Sequence, residues 1–537
     1  MLSTNANFDA KHNLDYKTPM YLIHFDGEST DYVNYTPGSP DNTCKDHLVS
    51  ISGLQSKVAP EEGRASIGGI KATILDYDDE ITALLATDTY YFHRKKTTIK
   101  AGYLGLDESD MLTIFTGWVT GLQMGPDLVT WEFDITDPQK WMQRKIFRDS
   151  EDVPVTIQGN PINIILWILT STGAGTNGDY DVYAAANGLG IDDDFVNITA
   201  LEALRDSWFP GPSWRFEMVI DERIKAKDFL EREFYKVLNL YPVIDGQGRF
   251  SLKRFRPPLA ALDGVQTFDN DNIIDLPKYD MNLDATINEL EFHYDYDTDD
   301  DEYDTQDFYT DTTSVNNRGP GKKALVIKSK GITTANGGVD ISEKRQRTVF
   351  GRFATPPPKI TCQTFFSRWL SEAGDIVPLT HALLPDVEAG TRGITSKRME
   401  IISRAIDWKN GKANFEFLAT GFDQEQYCVI SPSMTVTSGA SATEFDVSSA
   451  DAAKFEEGWE IEVRDDKGRL KASNLTITDI TGTTITCDSI GSTPAAGWIV
   501  NFTNYDGAIT AQQLYWYLSD GSDKLGTDND DAHYLVA

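Results

Sequence analysis

The sequence predicts a mainly β protein with an α+β insert and a small all-β domain at its C-terminal end. Three observations predict it. Short alternating apolar–polar runs, separated by turn residues, recur from 20 to 137 and again from 374 to 421. Helical periodicity is concentrated between 160 and 240. After Thr420 the composition shifts to Thr, Ser, Asp and Gly with small strands only. At 537 residues the chain is too long for one core, and roughly three to five domains are expected.

The balance of residues narrows the function. Hydrophobic residues make up 40% and aromatics 11%, enough for packed cores. Asp and Glu number 83 against 49 Lys and Arg, a net charge of −34. A nucleic-acid-binding surface needs a basic stripe to neutralise phosphates, so this balance argues against one. It fits solubility, or a surface that repels DNA. No apolar run reaches the ~20 residues of a membrane span. The candidate Ile162–Leu169 is short and contains Asn163. The N-terminal MLSTNANFDAKHNLDYK has no charged region followed by an apolar one, so no secretory signal is expected. Cys44, Cys362, Cys428 and Cys487 lack metal-ligand spacing and read as thiols of a chain made in a reducing cytoplasm.

Taken in order, residues 1–19 read as a polar arm that orders only on a partner. Strands are expected at 21–25, 47–54, 69–77, 97–105, 111–122 and 128–137, at the spacing of a barrel or sandwich. Gly117 and Gly121 inside a strand pattern predict a bulge or a close backbone approach. DDEITALLA (78–86) reads as one short helical turn. Asn160-Pro161 opens a helix over 162–173, with Pro at its first position and Gly beyond its end. A loop is expected at 173–194 and a second helix at 199–209, capped by Asn197 or Thr199. KAKDFLEREFYKVLNL places Phe229, Leu230, Phe234, Val237 and Leu238 on one helical face. A hairpin follows, turning at Gly246-Gln247-Gly248, and Pro257-Pro258 mark a break.

Strand alternation returns at 286–297. The acidic run 297–307 reads as a solvated, mobile loop, followed by the basic stretch 318–331. Helix is expected at Glu343–Gly351 and again at 362–374. From Gly374 to Gly421 three strands are expected. Pro378 places the first at an edge, Asn410-Gly411 closes a hairpin, and Phe415, Phe417 and Ala419 form the buried side of the last. Residues 430–537 read as the small β domain, with an aromatic cluster at Tyr515-Trp516-Tyr517-Leu518 and an exposed tail.

Catalytic patterns do not emerge, and no residue is assigned as catalytic, cofactor-binding or metal-ligating. GPGKK (319–323) lacks the spacing of a P-loop and reads as a flexible basic loop. Asp295, Asp297, Asp299 and Asp301 offer oxygen ligands for calcium but lack the glycine and terminal glutamate of an EF-hand loop. The seven histidines show no paired ligand spacing, and no serine sits in a G-x-S-x-G elbow. Tyr515–Tyr517 could stack on a sugar or base, though at strand spacing core or interface is the commoner use.

Three stretches together resemble the central hub proteins of bacteriophage tail tips and baseplates. They are KATILDY…TTIKAGYLG…LTIFTGWVTGL…VTWEFDITD, the helix-opening NPINIILWILTSTG, and the Gly374–Gly421 stretch with its GDIV, G-x-x-G-I and closing Thr-Gly. FEEGWEIEVRDD…NLTITDITGTTITCD…PAAGWIVNFTNY is similar to small β domains appended to such hubs. The resemblance covers about 20–425 and extends more loosely over 430–537. It implies two similar β-barrel hub domains at 20–150 and 275–425, an inserted α/β region at 151–274 and the small domain at 430–537. It further implies a homotrimer that matches a sixfold tail tube to a threefold spike or fibre and lines or closes the DNA ejection channel. The implied partners are the tail tube or distal tail protein, the tape-measure protein, the spike or fibre, and genomic DNA in passage. The implied location is the virion tail tip, after synthesis in the bacterial cytoplasm. Some hubs carry an iron–sulfur cluster on clustered cysteines, which this sequence lacks, so no cofactor is expected. Some carry a fused cell-wall hydrolase, and no segment here matches one. The alternatives are a receptor- or glycan-binding tail protein acting through 430–537, and a cell-envelope hydrolase.

Overall fold

The computed structural model describes residues 4–503 apart from 15–16, 53–54, 67, 147–154, 172–174, 178–181, 185–187, 210–214, 221–222, 257–265, 283–284, 320–323, 337, 388–389, 408–409, 421–426, 431–432 and 466–469. Beyond 503 it describes the backbone of 508–509 and 533–536. The expected break at Pro257-Pro258, most of GPGKK and the cluster 515–518 lie outside the described residues.

The chain opens with helix α1 (Ala6–His12), capped by Asn5, whose side chain accepts from Phe8 N. Strands β1 (Pro19–Phe25), β2 (Thr30–Val33), β3 (Thr43–Lys45), β4 (Leu48–Ile51), β5 (Gln55–Ala59), β6 (Arg64–Ala65) and β7 (Gly69–Leu75) follow. Then come helix α2 (Glu80–Thr87) and strands β8 (Lys96–Tyr103), β9 (Leu112–Met124) and β10 (Thr130–Thr136). The first sheet has the order β3-β2-β1-β8-β9-β10-β7-β4. Its core gathers Leu22, Phe25, Ile74, Phe115, Phe133 and Ile135.

The insert contains β11 (Lys145–Ile146), β12 (Val155–Gly159), α3 (Pro161–Thr170), β13 (Gly175–Asn177) and β14 (Val182–Ala184). It continues with α4 (Ile198–Trp208), β15 (Phe216–Ile220), β16 (Ile224–Lys225), α5 (Ala226–Leu230), β17 (Leu240–Ile244) and β18 (Phe250–Arg254). Helix α3 starts where expected: Asn160 caps Ile162 N, Pro161 fills the first turn, and the helix is buried from Pro161 to Leu169. The span expected as loop at 173–194 contributes β13 and β14 to the sheet β13-β14-β12-β15. The helix expected across 225–240 is α5 followed by a π turn, Glu231–Tyr235. In that turn Glu233 is buried and accepts from Lys330 N at 2.9 Å.

Next are β19 (Lys278–Met281), β20 (Glu289–Asp297), β21 (Glu302–Thr310), α6 (Thr312–Arg318), β22 (Leu325–Lys328) and α7 (Gly338–Phe353). Strands β23 (Pro358–Phe365), β24 (Ile376–Asp386), β25 (Thr391–Asp407) and β26 (Lys412–Ala419) complete the second sheet. Its order is β19-β23-β26-β25-β5-β6, with β24 also on β25. Thus β5 and β6, inside the first expected domain, add to the second sheet. After β27 (Tyr427–Ile430), the strands β28 (Ser433–Gly439), β29 (Glu444–Val447), β30 (Glu460–Arg464), β31 (Leu470–Thr481), β32 (Thr484–Cys487) and β33 (Ile499–Phe502) form a closed barrel. The two large sheets have open strand orders.

The two large sheets repeat one another. In the first, β4, β7, β10, β9 and β8 are successive antiparallel neighbours. In the second, β19, β23, β26, β25 and β24 are arranged in the same way. The irregularities coincide as well. Asp134 pairs Gly121 and Ile135 pairs Val119, which leaves Thr120 as the bulged residue. Glu416 pairs Ser403 and Phe417 pairs Ile401, which leaves Ile402. One offset maps Thr120 to Ile402, Asp134 to Glu416 and Thr130 to Lys412. The hairpin loops 126–129 and 408–411 are therefore equal in length. Phe133 and Ile135 become Phe415 and Phe417, all four buried. A further shift of register follows at Ile99/Lys100 and, at the matching place, at Leu379/His381. A bulge bends its strand and raises local twist, so the same bulge at the same place gives both sheets the same curvature.

Three further expectations are corrected. The N-terminal arm is docked on its own chain, because α1 buries Phe8 and His12 against Tyr103 and Trp369. The acidic run does not form a long loop. It turns at 298–301 and continues as β21, whose residues alternate exposed and half-buried against β20. Its alternation of Tyr303, Thr305, Asp307 and Tyr309 with more exposed residues is a strand period masked by charge. The span 362–374 is not a helix. Residues to Phe365 belong to β23, where Ile360, Cys362 and Thr364 point inward and β26 supplies the hydrogen bonds. Sheet pairing there overrides local helix propensity.

Candidate assembly site

The insert packs on both repeats, and it does so at equivalent positions. The pair Lys96–Trp118 in β8/β9 corresponds to Ile376–Glu400 in β24/β25. Trp118 and Glu400 therefore occupy the same place in the two sheets, and each is the anchor of a seam.

The first seam is aromatic. Trp118 stacks on Phe195 with ring centroids 3.9 Å apart and on Trp141 at 5.1 Å. Arg94 lies over Trp141 at 4.9 Å, and Lys96 lies over Phe195 while pairing with Asp194. Beside it, Thr116 Oγ1 donates to Gln247 O at 2.8 Å. Gly248 is required here: its φ is +79°, and a Cβ would lie 1.9 Å from Thr116 N.

The second seam is ionic and buried. Glu400 forms an ion pair with Arg352 of α7 and accepts from the Tyr241 hydroxyl of β17. Burial, reinforced by Glu400, holds the Tyr241 phenol well above its ordinary value. Arg352 also donates to Thr420 O and Arg256 O, both at 3.2 Å. Lys253 of β18 donates to Asp375 at 2.8 Å and to Ala373 O at 3.1 Å. Burial works against both charges of that pair. Even so, the carboxylates of Asp375, Glu372 and Glu400 hold the Lys253 ammonium above its usual value, and Lys253 holds Asp375 well below the carboxylate range. Arg404 donates to Trp369 O and Ser371 O, and Arg345 to Glu61 O at 2.6 Å and to Asn239. Burial pulls Arg345 down to about 9 and lowers Arg404.

A third contact joins the sheets directly. Phe366, Trp369 and Leu370 of the second repeat share a core with the first sheet, and α1 closes over them. His12 meets the Tyr103 hydroxyl at 2.6 Å and Ser367 O at 3.2 Å. Burial, then the nearby Lys17, lowers its pKa to about 4, so it is neutral in the fold.

The aspartates weighed as calcium ligands are hydrogen-bonded within the fold. Asp295, at φ +54°, accepts from Thr305, Thr334 Oγ1 and Thr334 N. Asp297 accepts from Asp299 N at 2.7 Å, and Asp301 takes the Tyr296 hydroxyl. Among the described residues no group of three His, Cys, Asp or Glu is placed to hold a metal. A cleft of about 480 Å³ is lined by Glu61, Glu62, Arg64, Lys236, Thr286 and Phe353, and its Glu62 and Arg64 pair with each other. Phe417, expected in a core, is fully buried there. Sequence reasoning missed Glu400, Arg352, Arg345 and Arg404. Glu400 carried no signal: between Met399 and Ile401 it takes the polar position of an alternating strand, and it is buried only because the insert and α7 cover that face.

No protein-family model matches the sequence, and no curated protein matches it significantly. Among solved structures, the chain is similar to the 43 kDa tail protein of prophage MuSo2 from Shewanella oneidensis, at 12% identity and a TM-score of 0.39 over 75% of this chain and 100% of that one. It is similar to the tail protein from Neisseria meningitidis MC58, at 10% identity and a TM-score of 0.40 over 75% of this chain and 97% of that one. It is likewise similar to the prophage tail protein gp18 from Listeria monocytogenes EGD-e, at 8% identity and a TM-score of 0.36 over 74% of this chain and 94% of that one.

Proposed function

We propose that this protein is the structural hub of a phage tail tip or baseplate, assembling as a homotrimer and not acting as an enzyme. The observation that carries the reading is the internal repeat, down to the matched bulges at Thr120 and Ile402. Three copies of a chain with two equivalent sheets present six similar units to a sixfold tail tube. The same trimer presents threefold symmetry elsewhere, to a spike or fibre. The two seams support this reading because they fix the repeats relative to each other, and a pseudo-sixfold ring needs that fixed angle. Closed rings need heterologous interfaces, which open sheet edges can supply.

In this reading the domains run 20–150, 151–274, 275–425 and 430–537, and the acidic surface keeps DNA from adhering in the channel. The test is the mass of the full chain in solution together with low-resolution images of the particle. A trimeric ring with a central channel is expected. A monomer at all accessible concentrations would sink the reading, and a basic channel wall would remove the role given to the charge.

A further inference from the structure

Within the chain the two repeats meet at one junction. Ile406, at the hairpin end of β25, shares a core with the first sheet, together with Phe366, Trp369 and Leu370 after β23. The receiving residue on the first sheet is Tyr103, at the end of β8. Trp369 Nε1 donates to its hydroxyl at 3.0 Å, and Phe366 meets its ring edge-on. The junction seals both sides: Ile406 is 2% exposed and Tyr103 1%.

The repeat supplies an equivalent for each side. The pair Ile406–Ala413 corresponds to Met124–Trp131. Beyond the second shift of register, Ala101–Leu112 corresponds to His381–Ile394, so Tyr103 corresponds to Leu383. Both equivalents face solvent: Met124 is 39% exposed and Leu383 57%. Each has exposed apolar company. At the hairpin tip next to Met124, Leu128 and Val129 are exposed in the places of Asn410 and Gly411. Leu128 holds φ +61°, which suits glycine or asparagine and strains a leucine. The tip therefore keeps an apolar side chain against the preference of its backbone. Past Leu383, Val387 is exposed and lines a small apolar recess with Pro385, Ile394 and Met399.

We propose that Met124, Leu128 and Val129 of one copy pack on Leu383 and Val387 of a second copy, repeating between copies the junction that buries Ile406 and Tyr103 within one. This rests on the hub reading. The occupant is a second copy because each exposed patch is the equivalent of one half of a junction the chain already makes. One copy therefore carries both halves of a further junction, on different repeats. Such an interface is heterologous, since every copy gives one surface and receives on the other. Three copies then close a ring of six sheets, with three junctions inside chains and three between them.

The test uses the full chain with Met124→Cys and Leu383→Cys, treated with a short bismaleimide and read on a denaturing gel beside solution mass. The double variant is expected to form covalent multimers, and neither single variant is. Met124→Glu places a charge in the junction and is expected to weaken association roughly tenfold or more, with the unfolding midpoint of the separated chain unchanged. Leu128→Gly relieves the strained backbone, so it is expected to weaken association without lowering that midpoint. A wild-type multimer whose double variant does not cross-link, or whose association is unmoved by Met124→Glu, would overturn the junction and leave the hub reading standing. A wild-type monomer would overturn the hub reading, and the inference with it.

Discussion

Trp118 and Glu400 occupy the same place in two copies of one sheet, yet one is held by stacked rings and the other by an ion pair. The comparison separates what a fold requires from how a chain meets the requirement. Both positions must grip the insert. The aromatic seam buries Phe195 and leaves Trp118 and Trp141 half-buried, and it gains from burying apolar area, which needs no geometric partner for each atom. The ionic seam is deeply buried, so each charge must be matched or it costs several kcal/mol. The first seam tolerates change; the second enforces one arrangement.

Several experiments would break or sharpen that contrast. The largest effect is expected from Glu400→Gln, which removes the counter-charge of buried Arg352: about 3–5 kcal/mol lost in denaturant unfolding. Pairing it with Arg352→Met should recover part of that loss. If the double variant is as damaged as the sum of the singles, the two groups are not coupled and the ionic description fails. Trp118→Ala should cost less, about 2–3 kcal/mol, because the ring is only partly buried. Its cost should not change with salt.

Acid should act on the α1 contact. The folded pKa of His12, about 4, lies below its unfolded value of about 6.5. The unfolded or undocked state therefore binds more protons between those values, and stability falls as pH drops from 6.5 towards 4. The loss at pH 5 is about 1–2 kcal/mol. Limited proteolysis near residue 15 should accelerate at pH 5 relative to pH 7.5. A rate unchanged by pH would mean that His12 is not held neutral. The smallest effect is expected at the repeat-equivalent surface acid Glu416. Its pairs with Lys359 and Lys57 are partly exposed, so Glu416→Gln should cost about 0.5 kcal/mol, and less at high salt.

Much of the sheet architecture is legible in the residues. Strands β7 to β10 and β24 to β26 follow from alternation and from turns such as Asn410-Gly411, which leads into β26 with Gly411 at φ +62°. The start of α3 is legible because Asn160-Pro161 is a cap with its own chemistry. The repeat itself is not. The bulge at Thr120 is signalled by the neighbouring Gly121, as the strand pattern predicted, but Ile402 marks none, and the equivalent anchors are a tryptophan and a glutamate. Register is a property of paired strands, and one sequence does not display its partner. The acidic run misleads for a related reason, since exposed carboxylates on β21 conceal a period of two. The docking of α1 is invisible because its receptor, Tyr103 and Trp369, is assembled from two distant segments.

That receptor, together with β5, bears on how the chain can fold. The His12–Ser367 contact spans 355 residues, and β5, paired locally only with β6, has to wait for β25 before it joins the rest of the second sheet. Contacts this remote make closure slow, because the intervening chain must be ordered first. A ribosome releasing this protein from its N-terminal end would expose Phe8 and the edge of β5 until the second repeat emerges. The first repeat therefore cannot be finished on its own, and a chain truncated before Ser367 should collect as an aggregation-prone intermediate with an unlatched N-terminal end.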